Sequence, residues 1–239
     1  MVGQPTGNPT VSAAEALAYY ANGWYAGGDT RKPQAPLAWE NPEARCIIDV
    51  RGSTWTRYLR RARRKVEAGG FELRWNTAFD EVLASCAVGR KPGEGTWIDS
   101  SMSTLYRELH HVGAAHSAEA WLDNRLVGGV VGMGIGRWLS METTFHSAPD
   151  AGHAAVAAMA ELMDRRGCLL VDVQQLHSFT RKLGGVEIPR DSYLRLLRAA
   201  LDPTLAPPPP AASSPTLIHD APPGATPGRP PGHHGGPAQ

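Results

Sequence analysis

Residues 169–189 read LLVDVQQLHSFTRKLGGVEIP, and two polar side chains stand in the apolar start of this stretch. Side chains of a strand alternate between faces, so Asp172 and Gln174 point the same way out of the run Leu169, Leu170, Val171, Val173. A carboxylate taken out of water must be paired, or its pKa rises. Two readings follow: Asp172 is a hydrogen-bonded structural acid, or it is a general base that works with the Gln174 carboxamide on an incoming amine. Glu142, in RWLSMETTF, poses a similar choice. It shares a strand face with Trp138, Ser140 and Thr144, while Leu139, Met141 and Thr143 take the other. It is either a glutamate on a wet sheet face or a carboxylate lining a cleft for a cation or an amine.

A third group is cationic. Arg57, Arg60, Arg61 and Arg64 fall at i, i+3, i+4 and i+7 of a helical pattern, with no acidic partner until Glu67. A solvated helix face is the plain explanation. A polyanion such as RNA phosphate explains the unrelieved repulsion better. The glycine-rich GVVGMGIG does not complete a dinucleotide fingerprint, because GxGxxG counted from Gly132 needs glycine where the chain has Arg137. These glycines fit a bulge or a close backbone approach instead. Neither a GxxxxGK[ST] loop nor a Cys/His pair with zinc spacing is present.

Positioning these residues takes an ordered set of elements. Ser12 caps a predicted helix AAEALAYYANG, and the turn-rich stretch that follows carries Trp24, Tyr25 and Trp39, aromatics of the kind that anchor a loop on a core. CIIDV reads as a strand and TWTRYLRRARRKVEAGG as a helix, with Trp55, Tyr58, Leu59, Ala62 and Val66 on its apolar face. FELRWN reads as a strand, AFDEVLASCAV as a helix, EGTWID as a turn, and SSMSTLYRELHHVG as a helix capped by serine and stopped at Gly113. Three β-segments then precede an alanine-rich helix, the 169–174 strand, the short helix SFTRKLGG and a last helix RDSYLRLLRAAL. The order strand, strand, strand, helix, strand, helix predicts a mixed α/β (α+β) sheet of acyltransferase type, with ligands at the carboxyl ends of strands.

The chain has 239 residues, a net charge of +1 and a hydrophobic fraction of 42%, enough for one or two packed domains. No apolar run approaches the roughly 20 residues that span a bilayer. The N-terminus has neither a basic nor an apolar leader region, and three scattered cysteines, Cys46, Cys86 and Cys168, fit a reducing cytoplasm. Division into a small N-terminal α/β domain over 1–60, a catalytic domain over 61–202 and a disordered Pro/Gly-rich tail over 203–239 is expected.

The blocks EGTWI (94–98), LYRELHHVGAAHSAEAW (105–121), LVGGVVG (126–132), the METTF glutamate, LLVDVQ (169–174) and LGGVEIPRDSYL (183–194) together resemble the leucyl/phenylalanyl-tRNA–protein transferases. That resemblance implies a GNAT-like acyltransferase domain and transfer of Leu or Phe from aminoacyl-tRNA to the α-amino group of proteins beginning with Arg or Lys. The product would be an N-degron marked for proteolysis. It implies a monomer needing no cofactor or metal, since the ester of aminoacyl-tRNA is already activated. It also implies site roles: Asp172 draws off the proton of the acceptor amine with Gln174 in relay, and Glu142 and Gln174 hold the acceptor's first residue. Trp97 and Tyr106 lie by the terminal adenosine. Val130, Leu139, Met141, Met159 and Val171 line the pocket for the transferred side chain, and Arg57, Arg60, Arg61 and Arg64 contact the acceptor stem. The chain departs from the family at GWYAGG (23–28), which lacks the usual closing aromatic, and at ETTFHS, PDAGHA, Leu139 and Met159. Two rivals stand beside this reading. A CoA-dependent GNAT N-acyltransferase would carry a [RQ]xxGxG/A loop where the chain reads HSAPDAGHAAV. A non-catalytic tRNA-binding protein would have no use for Asp172, Gln174 and Glu142 together.

Overall fold

The computed structural model describes residues 11–27, 38–88, 96, 98–202 and 204. A seven-stranded sheet runs in the order β4-β5-β6-β7-β8-β3-β9. Its members are β3 (Ala44–Ile48), β4 (Glu72–Trp75), β5 (Ala115–Leu122), β6 (Arg125–Ile135), β7 (Trp138–His146), β8 (Leu170–Asp172) and β9 (Gly185–Pro189). Every pairing is antiparallel except β7 with β8. Helix α5 (Ala151–Arg165) makes the crossover between those two strands, as a parallel pair requires. The short hairpin β1 (Tyr25–Gly27) and β2 (Ala38–Glu40) stands apart as a second, two-stranded sheet.

The mixed α/β class is as expected, and so are the long elements. Ser12 caps α1 (Ala13–Ala21) in a reciprocal capping box with Glu15. Asp123 and Asn124 both take left-handed backbone between β5 and β6, the conformation a two-residue hairpin turn needs. Trp39 anchors its loop by packing on Tyr19 and Tyr20, with ring centroids 4.8 and 5.4 Å away. Three expectations are corrected. The cap of α4 (Ser100–His111) is Asp99, whose carboxylate accepts from Met102 N at 2.7 Å, because serine inside the first turn cannot reach the free amides ahead of it. Strands β1, β2 and β9 were not read from the sequence, being too short to show alternation. The boundary at residue 60 falls inside helix α2 (Ser53–Gly69), and β3, expected in the small N-terminal domain, is an inner strand hydrogen-bonded to β8 and β9. A strand with two ladder partners cannot be separated from its sheet without stranding its amides. Residues 203 and 205–239, including the expected disordered tail, lie outside the described residues.

The sheet divides two cores. Helices α5 and α2 cover one face, burying Ile48, Val130, Leu139, Met159 and Val171. Helices α1, α3 (Phe79–Cys86), α4 and α7 (Arg190–Leu201) cover the other, burying Tyr20, Tyr106, Trp138 and Tyr193. The glycines of β6 set the spacing on the α5 side. A Cβ on Gly128 would stand 2.7 Å from the backbone oxygen of Ala151, and one on Gly132 would stand 2.9 Å from Ser140 O, beside the register shift at Val131/Gly132. Gly128→Ala therefore forces the start of α5 off the sheet. A loss of about 1–3 kcal/mol is expected, read as a lower urea midpoint at unchanged m.

Candidate active site

The parallel pairing of β7 and β8 lasts only three residues, Trp138–Ser140 against Leu170–Asp172. Beyond it the two strands part. Gln174 ends β8 by turning into left-handed backbone, with φ of 57°. Its amide then bridges the split, Nε2 donating to Ser140 Oγ at 2.6 Å and to Glu142 Oε1 at 3.3 Å. Asp172, Gln174 and Glu142 thus meet at one strand end.

Asp172 is fully buried and fully engaged. Its Oδ1 accepts from Arg45 Nε at 2.9 Å and from Gln174 N at 2.9 Å. Its Oδ2 accepts from Arg45 Nη2 at 2.7 Å and from Tyr193 Oη at 2.7 Å. Arg45 is itself 1% exposed, with its guanidinium between the rings of Tyr25 and Tyr193 at 4.4 and 4.6 Å and Nη1 donating to Gly23 O at 2.9 Å. The carboxylate thus has four donors, two of them from the same guanidinium. In this geometry Asp172 ties Arg45 to the sheet and holds the Gln174 backbone in place.

Glu142 differs. It is half-buried, and Tyr106 Oη donates to its Oε2 at 3.1 Å. Burial, with the nearby charge of Asp172, pushes its pKa up to about 7, although hydrogen bonds from Ser140 and Tyr106 and the charge of Arg45 pull the other way. Burial first, then the charge of Glu142, likewise raises the Tyr106 phenol well above its usual value, so it stays a neutral donor. Tyr106 has no exposed surface. Its hydroxyl is directed at Glu142. Trp97, its expected neighbour, lies outside the described residues.

The five expected pocket residues come together on the opposite face of the sheet. Val130, Leu139, Met159 and Val171 are 0% exposed and Met141 is 6% exposed, packed in one cluster with α5. Val171 also lines a groove of about 510 Å³ between α2 and α5, together with Trp55, Leu59, Ala160 and Met163, the arginines Arg60, Arg63 and Arg64, and the acids Glu67 and Asp164. That volume suits a small organic group. Arg57 and Arg61 of the stripe are exposed but do not line the groove, whereas Arg63, outside the stripe, does. Sequence reasoning missed Arg63, Arg45, Tyr193 and Ser140. The signal for a cation was present, because a buried Asp172 requires one, but its source lies 127 residues away in the chain.

A buried acid–amide cluster at a strand split, backed by a cation-rimmed apolar groove, is the equipment of a group-transfer enzyme, and the comparisons place the chain among the aminoacyltransferases. The family model described as leucyl/phenylalanyl-tRNA protein transferase matches residues 50–198. The leucyl/phenylalanyl-tRNA–protein transferase of Nitratidesulfovibrio vulgaris (strain DP4) is 40% identical over 74% of this chain and 72% of its own length. That of Azoarcus sp. (strain BH72) is 36% identical over 84% of this chain and 81% of its own. Among solved structures, FemX overlaps loosely, with a TM-score of 0.46 at 13% identity over 62% of this chain and 60% of its own. The chain belongs to the leucyl/phenylalanyl-tRNA–protein transferase family. Among the described residues there is no cluster of three or more His, Cys, Asp or Glu placed to hold a metal ion, and no helix long and apolar enough to cross a membrane.

Two outcomes follow from the carboxylates. Asp172→Ala leaves the Arg45 guanidinium buried without its partner and should cost about 3–5 kcal/mol in a denaturant titration. Glu142 gives the opposite result. Its folded pKa of about 7 lies above the ordinary glutamate value of 4.5, so the wild type loses stability as pH rises between these values. Glu142→Gln should be the more stable protein at pH 8, with its advantage in Tm fading as pH falls toward 4.5.

Proposed function

We propose that this enzyme moves leucine or phenylalanine from its tRNA to the α-amino group of proteins that begin with arginine or lysine, and that the product is an N-degron read by a protease. The observation that supports this reading best is the meeting of Asp172, Gln174, Ser140 and Glu142 where the β7–β8 pairing ends. The transferred side chain enters the groove over Val171 and Met163. Phosphates of the tRNA 3′ end meet Arg60, Arg63 and Arg64 at the rim, with Arg57 and Arg61 further along the same helix. These contacts position the RNA without reading its sequence. The Val130–Leu139–Met141–Met159 cluster backs the groove and sets its depth. The ester then lies at the split, where Gln174 and Glu142 receive the acceptor amine.

A basic acceptor fits the acidic character of this end of the sheet. Glu40 is half-buried at the hairpin, accepts from Tyr25 Oη at 2.8 Å, and lies 3.4 Å from the amide of Gln175, the neighbour of Gln174. With Glu142 it gives two carboxylates for a cationic first residue. No cofactor has a part in the chemistry, because the aminoacyl ester is activated before it arrives. A CoA-dependent acyltransferase is the second reading. The helix after β7 opens with Asp150, whose carboxylate would repel a pyrophosphate.

The test uses purified enzyme, radiolabelled Leu-tRNA and Phe-tRNA, and peptides with N-terminal Arg, Lys or Glu. Label should pass to the Arg and Lys peptides and not to the Glu peptide. Arg60→Glu with Arg64→Glu should raise the KM for aminoacyl-tRNA and lower the salt slope by roughly 0.7–0.9 per lost phosphate contact. An unchanged KM and slope would remove the arginine assignment.

A further inference from the structure

We propose that the tRNA-binding surface runs past the arginine stripe of α2 onto a cationic patch of Lys65, His146, His153 and Lys182, and that tRNA bound there takes up a proton. This inference rests on the tRNA-binding part of the reading above and adds to it a second bank of contacts and a pH dependence.

Two stretches that depart from the family pattern, ETTFHS and PDAGHA, each supply a histidine. The fold brings the two together. His146 ends β7 and His153 stands in the first turn of α5. A Cβ on Gly152 would stand 3.4 Å from His146 Nδ1, so that imidazole lies against the start of the helix. His153 is tied to α2, with its Nδ1 2.9 Å from Tyr58 Oη and the two rings 5.5 Å apart. Its Nε2 has no partner among the described residues. Lys65 of α2 lies four residues beyond Arg61 and eight beyond Arg57, on one line of the helix. The arginine stripe therefore leads to the start of α5, where Lys65 Nζ meets Asp150 Oδ1 at 2.5 Å. Both side chains of that pair are exposed, 39% and 45%, so a stronger anion competes for the lysine readily.

The charges that face His153 come from four elements. They are Lys65 of α2, Asp150 of its own helix, His146 of β7 and Lys182 at the end of α6 (Ser178–Lys182), with the phenol of Tyr58 beside the ring. Asp150 is the one acid among them. Burial, and after it the charge of Lys65, lowers the His153 pKa from its ordinary value; His146 and Lys182 act in the same direction and Asp150 opposes them. The free enzyme thus holds this imidazole neutral among cations that lack counter-charge. Because the patch continues the stripe, the anion that fits it is the phosphate backbone of the same RNA. A phosphate beside His153 favours the imidazolium, so the pKa rises on binding and a proton is taken up. By reciprocity, binding that takes up a proton tightens as pH falls. The Tyr58 hydroxyl can donate to the neutral ring and accept from the charged one, so this bond survives the change.

The test measures the Kd of the full-length enzyme for deacylated tRNA by fluorescence anisotropy, at fixed ionic strength from pH 6 to 8.5. Thermal melts check the fold of each variant. Wild type should bind about 3–10-fold more tightly at pH 6 than at pH 8. His146→Gln with His153→Gln should flatten that dependence. The double variant should also lower the salt slope at pH 6 by roughly 0.7–0.9 per lost phosphate contact, and leave it unchanged at pH 8. His153→Lys fixes the charge and should bind at pH 8 as wild type binds at pH 6. Tyr58→Phe removes the hydrogen bond but keeps the imidazole, and should keep the pH dependence. An equal loss of affinity at every pH in Tyr58→Phe and the double variant would make His153 a structural residue and overturn the proposal. So would a wild-type Kd that does not change with pH, or a pH dependence that persists in the double variant; these results leave the tRNA reading standing, because binding itself is seen. No binding of tRNA by wild type at any pH would remove the tRNA reading and this extension together.

Discussion

The buried pair of Arg45 and Asp172 is the contact on which the rest of the site depends. Two charges removed from water cost several kcal/mol each unless their mutual attraction and further hydrogen bonds replace the lost hydration. Here the replacement is complete. Arg45 donates to Asp172 and to Gly23 O and lies between two tyrosine rings, and Asp172 accepts in addition from Tyr193 and the Gln174 backbone. That network is what draws β3, the end of α1, the hairpin and α7 onto the exposed flank of β8. It also fixes the backbone turn at Gln174, and its carboxylate adds to burial in making Glu142 reluctant to ionise.

The short pairing of β7 and β8 gives this electrostatic arrangement its place. Three residues of parallel pairing end where Ser140 and Glu142 on one strand face Asp172 and Gln174 at the end of the other, and the Gln174 amide bridges the two. The β6 glycines let α5 sit close against the sheet on the face opposite this cluster. Burial, charge and access are thus assigned to different faces of one layer.

Much of this was written in the sequence at short range. The alternation in LLVDVQ and RWLSMETTF placed Asp172, Ser140 and Glu142 on one face and Leu139, Met141 and Val171 on the other, and the cores bear that out. Helical spacing found the face of α2 carrying Trp55 and Leu59, and the family blocks marked the same strand ends. What local patterns could not supply was partnership across the fold. Asp172 announced a need for a cation but not Arg45, and Tyr193 in RDSYL looked like an ordinary helix residue until it reached the same carboxylate. β9 escaped notice because VEIP is short, half exposed and defined only by its pairing with β3. The different surroundings of Asp172 and Glu142 have the same origin, since two carboxylates on one face differ only in what packs against them.

The span of the central contact bears on how the enzyme comes into being. Arg45 and Asp172 are 127 residues apart, and Tyr193 lies 148 residues beyond Arg45. Closure of so long a loop comes late in folding, after local helices and hairpins have formed. During synthesis at about 5–20 residues per second, Arg45 waits many seconds for its counter-charge to emerge. Through that interval β3 has neither of its ladder neighbours and the Gln174 turn does not exist. A half-made chain therefore carries its arginine helix before it carries the turn that presents Gln174 to Glu142.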